Sequence, residues 1–254
     1  MQTTEKKDLL DFTLQLADDV MILGHRLSEW TGHGPVLEQD IALSNIALDL
    51  VGKARNCYQY AAKQEGSGKT EDDYPYKRDV LDWKSVLLVE QKNEDFGHTI
   101  VRQFLFDCYH YYHLEALSNS TDEQMTFIGA KSLKEARYHL QYSSEWMLRL
   151  GDGTEESHSR MQKALDDKIH YFEELFIPTE AETRLVESGV APDLSLIRDK
   201  AFAKMNTVVK ESTLVLPEKI YTQKGGRKGV HTEHMGYILA ELQYMQKTYP
   251  NMVW

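Results

Sequence analysis

Residues 43–57 read LSNIALDLVGKARNC, and this stretch decides the fold class. Its apolar side chains recur every three or four residues, which is the spacing that places them on one face of an α-helix. Asp49 and Lys53 lie four residues apart on a separate, polar strip of the same helix. This period predicts a long amphipathic helix from about residue 37 to 63.

The same helical period continues along the chain on both sides of this segment. Residues 32–35 (GHGP) and 151–153 (GDG) interrupt it, and Gly and Pro are the strongest signals that a helix ends. No stretch alternates in the way that indicates a β-strand. The predicted helices cover residues about 5–30, 37–63, 94–118, 122–150, 154–176, 193–211 and 232–249, with a short helical or extended crossover in 64–92.

Two pairs of long helices joined by a long crossover are typical of a ferritin-like arrangement. We therefore predict an all-α fold, a ferritin-like four-helix bundle with additional C-terminal helices. Residues 1–254 are expected to form a single domain, with core helices in about 5–150 and a helical extension in about 154–254. An ordinary helical bundle gives the same periodicity, so the residues alone leave that alternative open.

The composition, 41% hydrophobic and 27% charged, is that of a soluble globular protein. A formal net charge of −11 argues against nucleic acid as the main partner. No apolar run approaches the roughly 18 residues of a membrane span, and residues 1–7 lack the apolar core of a signal peptide. Cys57 and Cys108 fall in apolar helical patterns and are expected to be buried thiols. Cytoplasmic localisation, away from membranes, is the resulting expectation.

The four long predicted helices lack most ligands of a ferritin-like di-metal centre. Such a centre takes one Glu from each of two helices and a Glu-x-x-His pair from each of the other two. The corresponding positions read Asp49-Leu50-Val51-Gly52 and Glu135-Ala136-Arg137-Tyr138. Glycine has no donor atom, and the histidine after Glu135 comes four residues later, as His139. We predict no catalytic residue, no metal and no cofactor in this chain.

The polar residues that remain suggest a relic of the metal site. Asp19 lies in an apolar stripe, where an unpaired carboxylate is costly, and Lys53 would replace the positive charge of a metal. A solvated helix face explains such residues equally well. A third reading is a stand-alone oxidase or oxygenase that binds metal through Asp19, Asp49, Glu135 and His139. The predicted relic region comprises Asp19, Asp49, Gly52, Lys53, Arg102, Glu135, Tyr138 and His139.

The most basic short stretch lies near the C-terminus, where Lys224, Arg227 and Lys228 accompany three glycines just before a predicted helix. Cations and glycine amides at a helix N-terminus are suited to binding phosphate. They suit an acidic protein surface equally well, and a flexible charged loop is the third reading. We expect these residues to contact either a phosphorylated ligand or a partner protein.

Ten short stretches resemble one protein family in sequence and in order. Together they are similar to the PaaC-type subunits of bacterial phenylacetyl-CoA 1,2-epoxidases, over essentially the whole chain. The stretches are GHRLSEW (24–30), GHGP (32–35), DIAL (40–43), ALDL (47–50), LVEQ (88–91), KEARYHL (134–140), RLGDGTE (149–155), GGRKG (225–229), HTEH (231–234) and Trp254.

The resemblance implies a ferritin-like but non-catalytic subunit. Its partners would be a related catalytic subunit that carries the di-iron centre, a small bridging subunit and a flavin/iron–sulfur reductase. The complex would use NADPH and O2 to epoxidise the ring of phenylacetyl-CoA in phenylacetate catabolism. Self-association of the chain is a further expectation. The absence of histidine at Gly52 and Tyr138 agrees with a non-catalytic role.

Overall fold

The structure is a computed structural model that describes residues 3–250 and residue 252. All regular structure in these residues is helical, which confirms the all-α prediction. Trp254, one of the residues that carry the family resemblance, lies outside them. The α-helices are α1 (Thr3–Ser28), α2 (Leu37–Glu65), α3 (Asp73–Lys77), α4 (Leu87–Glu90), α5 (Phe96–Leu117), α6 (Glu123–Gly151), α7 (Glu155–Lys168), α8 (Glu180–Glu187), α9 (Leu194–Glu211), α10 (Glu233–Leu242) and α11 (Tyr244–Thr248).

The chain divides into two compact units. The first contains the residues up to Glu90 together with the segment from Gly225 onward, and the second runs from Gln91 to Lys224. The expectation of a single domain over residues 1–254 stays a prediction. Among the described residues, no helix combines the length and the apolar character that a bilayer-spanning segment requires.

The first unit is built on α1 and α2, which run antiparallel to each other. Hydrogen bonds join Tyr58 to Asp18 near one end of the pair and Thr31 to Ser44 near the other. Gly24 permits this close approach, because a Cβ atom at that position would lie 3.0 Å from Cγ2 of Val51. A core of aliphatic and aromatic side chains fills the contact and includes Phe12, Leu16, Val20, Ile46 and Leu50.

The second unit is centred on α5, whose residues from Gly97 to His110 are all buried. A helix that is buried on every side requires neighbours on every side, and α5 packs against α6, α7 and α9 within the unit. Side-chain caps fix the helix starts: Asp95 accepts from the amide of His98, and Thr154 accepts from that of Ser157.

The structure reproduces the four long predicted helices to within about two residues at each end. The observed helix α7 is shorter than the predicted helix 154–176: it ends at Lys168, and the chain continues in two 3-10 turns. The predicted helix 232–249 is divided at Gln243, whose side-chain amide donates to the carbonyl oxygens of Pro75 and Arg78. The short helices α3 and α4 lie in the segment 64–92, predicted as a short helical or extended crossover, and α8 has no counterpart in the prediction.

Candidate functional site: buried ion pairs of the first unit

Asp19 and Arg227 form a buried, two-pronged ion pair. Nη1 of Arg227 lies 2.9 Å from Oδ1 of Asp19, and Nη2 lies 2.7 Å from Oδ2. The Asp19 side chain is 3% exposed and the Arg227 side chain 10%. Burial raises the pKa of Asp19, and the guanidinium of Arg227 acts in the opposite direction. Such paired geometry is characteristic of arginine with carboxylate.

Further hydrogen bonds hold both partners of this pair in place. The backbone amide of Val86 donates to Oδ1 of Asp19 at 2.9 Å. Nη1 of Arg227 also donates to the carbonyl oxygens of Lys84 at 2.7 Å and Gln15 at 3.3 Å. The pair therefore joins α1, the segment before α4 and the C-terminal part of the first unit.

The glycines around Arg227 serve close packing. A Cβ atom at Gly226 would lie 2.0 Å from the carbonyl oxygen of Ser85, a distance that no side chain tolerates. Gly229 has φ +74°, in the left-handed region that favours glycine, and a Cβ atom there would lie 2.5 Å from the carbonyl oxygen of Leu81. The glycines of the GGRKG motif allow the backbone to pack closely against residues 81–85, and this packing places Arg227 next to Asp19.

Asp18 forms a second buried ion pair next to the first. Its carboxylate is fully buried and accepts hydrogen bonds from Arg78, from the Tyr58 hydroxyl at 2.7 Å and from the Lys84 amide at 2.9 Å. Burial, followed by the negative charge of Asp18, raises the pKa of Tyr58 far above its usual value. The phenol therefore stays protonated and acts as a donor.

Glu90 and His231 form a third pair. Nδ1 of His231 lies 2.5 Å from Oε1 of Glu90, and Nε2 lies 3.0 Å from the carbonyl oxygen of Trp83. Thr232 donates to Oε2 of Glu90 through its amide at 2.9 Å and its hydroxyl at 2.8 Å. Burial lowers the pKa of His231, but Glu90 outweighs this effect, and the pKa lies above its usual value. Because both ring nitrogens face acceptors, the geometry favours the doubly protonated, cationic ring.

Replacing His231 with glutamine is expected to lower the free energy of unfolding by about 1–3 kcal/mol at pH 6, since Glu90 would lose a buried cationic partner. A histidine whose folded-state pKa is raised stabilises the fold fully below its unfolded pKa of about 6.5. That contribution is lost as the pH rises through the folded-state value. The cost of the substitution should therefore shrink between pH 6 and pH 9.

Urea denaturation at several pH values measures this cost. The control is His33→Gln, at an exposed histidine of the same unit. An equal cost of the His231 substitution at pH 6 and pH 9 would show that the ring is neutral in the folded protein.

The second unit holds a different buried polar group around Asp107. Its carboxyl group accepts hydrogen bonds from Nε2 of Gln103 and from Oγ of Ser143, each at 2.8 Å. Burial raises the pKa of Asp107 to about 7, against the opposing effect of His139. His139, a residue of the predicted relic region, is itself 1% exposed.

The other predicted relic residues have different surroundings. Lys53 and Arg102 are buried, and Arg102 donates to the carbonyl oxygen of Gln91 and to Oδ1 of Asn93. Asp49 and Glu135 are partly exposed. Asp19 and Arg227, which the sequence placed in two separate sites, are in direct contact.

The structure shows the surroundings of the remaining residues of the two predicted sites. Gly52 lies on an exposed part of α2, and nothing is within 4 Å of the position a Cβ atom would take. Tyr138 is 51% exposed, whereas the buried face of α6 carries Ala136 and His139. Neither position directs a side chain to a buried metal site. Arg227, one of the three residues expected to contact CoA or a partner, is bound to Asp19, and that expectation stays a prediction. Lys224 and Lys228 are exposed.

These residues do not fit a di-iron centre. The Asp19 carboxylate is held at both oxygens by Arg227, and the two positions that would need inward imidazoles face outward. In the described residues, two sets of three ligand-type side chains lie close enough to hold one ion, and neither set includes a residue of the predicted relic region.

Comparison with known proteins identifies the family. The sequence matches the PaaA/PaaC family, described as phenylacetic acid catabolic protein, over residues 1–254. The chain belongs to this family. It is 43% identical over 246 residues to the C-type subunit of the 1,2-phenylacetyl-CoA epoxidase of Escherichia coli (strain K12), covering 97% of this chain and 99% of that protein. The resemblance inferred from the motifs is confirmed.

The PaaA/PaaC family has a ferritin-like helical fold, so the predicted fold class is also confirmed. The sequence did not identify Asp18, Arg78, Glu90 or His231 as members of a buried network. The sequence did contain a signal for two of them, because Glu90 and His231 lie in the motifs LVEQ and HTEH that carry the family resemblance. Asp18 gave a weaker signal, as a second carboxylate beside Asp19 in an apolar stripe.

Proposed function

We propose that this chain is the accessory, non-catalytic subunit of an oxygenase that epoxidises the ring of phenylacetyl-CoA in phenylacetate catabolism. The 43% identity to an epoxidase subunit over nearly the full length of both chains supports this proposal. The observation that carries the non-catalytic role is the Asp19–Arg227 pair, because a carboxylate bound at both oxygens by a buried guanidinium is not available to a metal. The chain itself supplies no cofactor and binds and stabilises its partner.

The partner in this proposal is the related catalytic subunit that carries the di-iron centre. A small bridging subunit and a flavin/iron–sulfur reductase complete the complex, which uses NADPH and O2. Lys224 and Lys228 keep the role proposed for the basic stretch, against an acidic partner surface or the CoA phosphates. The complex acts in the cytoplasm, where the two buried cysteines stay reduced.

An exposed apolar stripe on α2 is the surface proposed for this association. Leu37, Ile41, Leu48 and Val51 are between 38% and 72% exposed. Their spacing of four, seven and three residues places them on one face of the helix. Exposed apolar patches of this kind mark protein–protein contact sites, and a stable subunit interface buries at least about 1,000–2,000 Å². Val51 lies at the edge of this stripe, beside Gly24 of α1, and the buried face of α2 packs on α1.

The association is tested by co-expression with the tagged catalytic subunit. We expect the wild-type chain to co-purify with it and the complex to epoxidise phenylacetyl-CoA when the reductase and NADPH are supplied. Ile41→Glu together with Leu48→Glu should weaken binding by at least about tenfold, since charges would be buried in an apolar contact. Phe127→Glu, at an exposed aromatic residue of α6, is the matched control.

Iron analysis separates this proposal from the stand-alone enzyme. Purified alone, the chain is expected to contain far less than one iron and to form no epoxide. Two irons per chain, retained by the wild type and lost in Asp49→Asn with Glu135→Gln, would contradict the accessory role. So would an intact chain that fails to associate with the co-expressed catalytic subunit.

A further inference from the structure

Three potential metal ligands converge outside the buried ion pairs. His25 and Glu29 lie four residues apart at the end of α1, in the motif GHRLSEW, and Glu241 lies on α10 of the same unit. The ligand atoms of the three side chains are within 4.8 Å of one another. Residues four apart share one face of a helix, so α1 presents His25 and Glu29 together to Glu241.

Nε2 of His25 is the atom that requires an explanation. It is buried, and no group of the described residues lies within hydrogen-bonding distance of it. Oε2 of Glu241 is 3.8 Å away, which is too long for a hydrogen bond. If Nε2 carries a proton, it is a buried donor without an acceptor. If it carries a lone pair, it faces negatively charged carboxylates. Both states are unfavourable in this site.

Protonation of His25 is disfavoured in this site. Burial lowers the pKa of His25, and the negative charges of Glu29 and Glu241 only partly oppose that effect. The neutral imidazole is the form that binds metal ions. Arg26 donates to Oε1 of Glu29 at 2.7 Å and so restrains the orientation of that carboxylate.

The distances suit a small divalent cation. In a tetrahedral zinc site with bonds of about 2.0–2.2 Å, neighbouring ligand atoms lie roughly 3.3–3.5 Å apart. Nε2 of His25 and Oε2 of Glu241 are already at 3.8 Å. Glu241, whose side chain is 73% exposed, is free to close the remaining distance by a rotamer adjustment.

We propose that His25, Glu29 and Glu241 form a binding site for a divalent transition-metal ion, with Zn²⁺ as the preferred ion. One imidazole nitrogen and two carboxylate oxygens are a donor set that zinc accepts. The ion would join the end of α1 to α10 and stabilise the first unit by binding only the folded chain. This site is separate from the di-iron chemistry assigned to the partner subunit.

The other set of three ligands is less suited to a metal. His98 faces Glu94 and Asp167, but Lys168 binds Glu94 and Lys163 binds Asp167. Both ring nitrogens of His98 also have hydrogen-bonding partners, Asp95 at 2.7 Å and Asp167 at 3.1 Å. Both ring nitrogens of His98 are therefore occupied, whereas Nε2 of His25 has no hydrogen-bonding partner among the described residues.

Calorimetric titration of the tag-free, chelator-treated chain with Zn²⁺ tests the proposal. We expect one ion to bind per chain with a dissociation constant below about 100 µM, and Zn²⁺ at that concentration to raise the melting temperature. Glu241→Gln should weaken binding by at least about tenfold, as loss of a metal ligand requires. Because Glu241 is highly exposed, this substitution leaves the fold intact.

Two control variants locate the ion. Glu233→Gln changes another exposed carboxylate of α10, and Asp167→Asn disables the alternative set; both should bind Zn²⁺ as the wild type does. Absence of binding at about 100 µM would overturn the proposal. So would binding that survives Glu241→Gln or is lost in Asp167→Asn.

Discussion

Replacing Arg227 with methionine is expected to lower the free energy of unfolding by about 3–5 kcal/mol, because removing one partner of a buried ion pair leaves the other charge uncompensated. Methionine keeps much of the side-chain volume, so the loss reports on charge and hydrogen bonding. Asp19 would retain the hydrogen bond from the Val86 amide in the first unit. The carbonyl oxygens of Gln15 and Lys84 would lose the donor that they share.

The cost of Arg227→Met should depend on pH in a defined direction. Burial already raises the pKa of Asp19, and loss of the guanidinium raises it further. A carboxyl group with a raised folded-state pKa destabilises the fold increasingly as the pH rises above its unfolded value of about 3.9. The variant should therefore be less impaired at pH 5 than at pH 8, as measured by urea denaturation at both.

Lys228→Met is the matched control, since it removes an exposed cation from the neighbouring position. Surface substitutions of this kind usually change stability by less than about 0.5 kcal/mol. The double variant Asp19→Leu with Arg227→Met should be more stable than Arg227→Met alone, because no buried charge remains. Equal effects of Arg227→Met and Lys228→Met would contradict the buried pair.

Asp107→Asn is expected to stabilise the chain at pH 8, by on the order of 4 kcal/mol. The folded-state pKa of about 7 lies roughly three units above the ordinary value of 3.8, and one unit corresponds to about 1.4 kcal/mol. The folded state holds this proton between about pH 4 and pH 7, so its stability falls as the pH rises through that window. Asparagine is neutral at every pH and removes that loss.

The asparagine side chain can also keep the local hydrogen bonds. Its oxygen replaces the acceptor for Gln103, and its amide is able to donate to the hydroxyl of Ser143. The measurement is the free energy of unfolding of both proteins from pH 4 to pH 8. Asp166→Asn, a less buried carboxylate on α7, is the control. A destabilised Asp107→Asn variant at pH 8 would show that the carboxylate is ionised and required in the folded state.

The sequence alone determined the class of fold. A period of three to four apolar residues arises from local backbone geometry, so it can be read without knowing what the helix packs against. The sequence also shows that positions 52 and 138 carry no histidine, but it does not show which way those positions face. Family membership followed from motifs distributed over the whole chain, since their identity and order do not depend on contacts.

Only the tertiary structure decided which charges meet. Asp19 and Arg227 are 208 residues apart, and periodicity predicts the face on which a side chain lies but not its partner across the fold. The same limit explains Gly52 and Tyr138, which the i, i+3 pattern placed at the bundle centre and the packing of α2 and α6 leaves outside. In the sequence, the glycines near Arg227 were consistent with a phosphate site, an acidic partner surface or a flexible charged loop. A Cβ atom at Gly226 would lie 2.0 Å from the carbonyl oxygen of Ser85, so only a hydrogen atom fits at that position. The structure therefore shows that the glycine is needed for close packing.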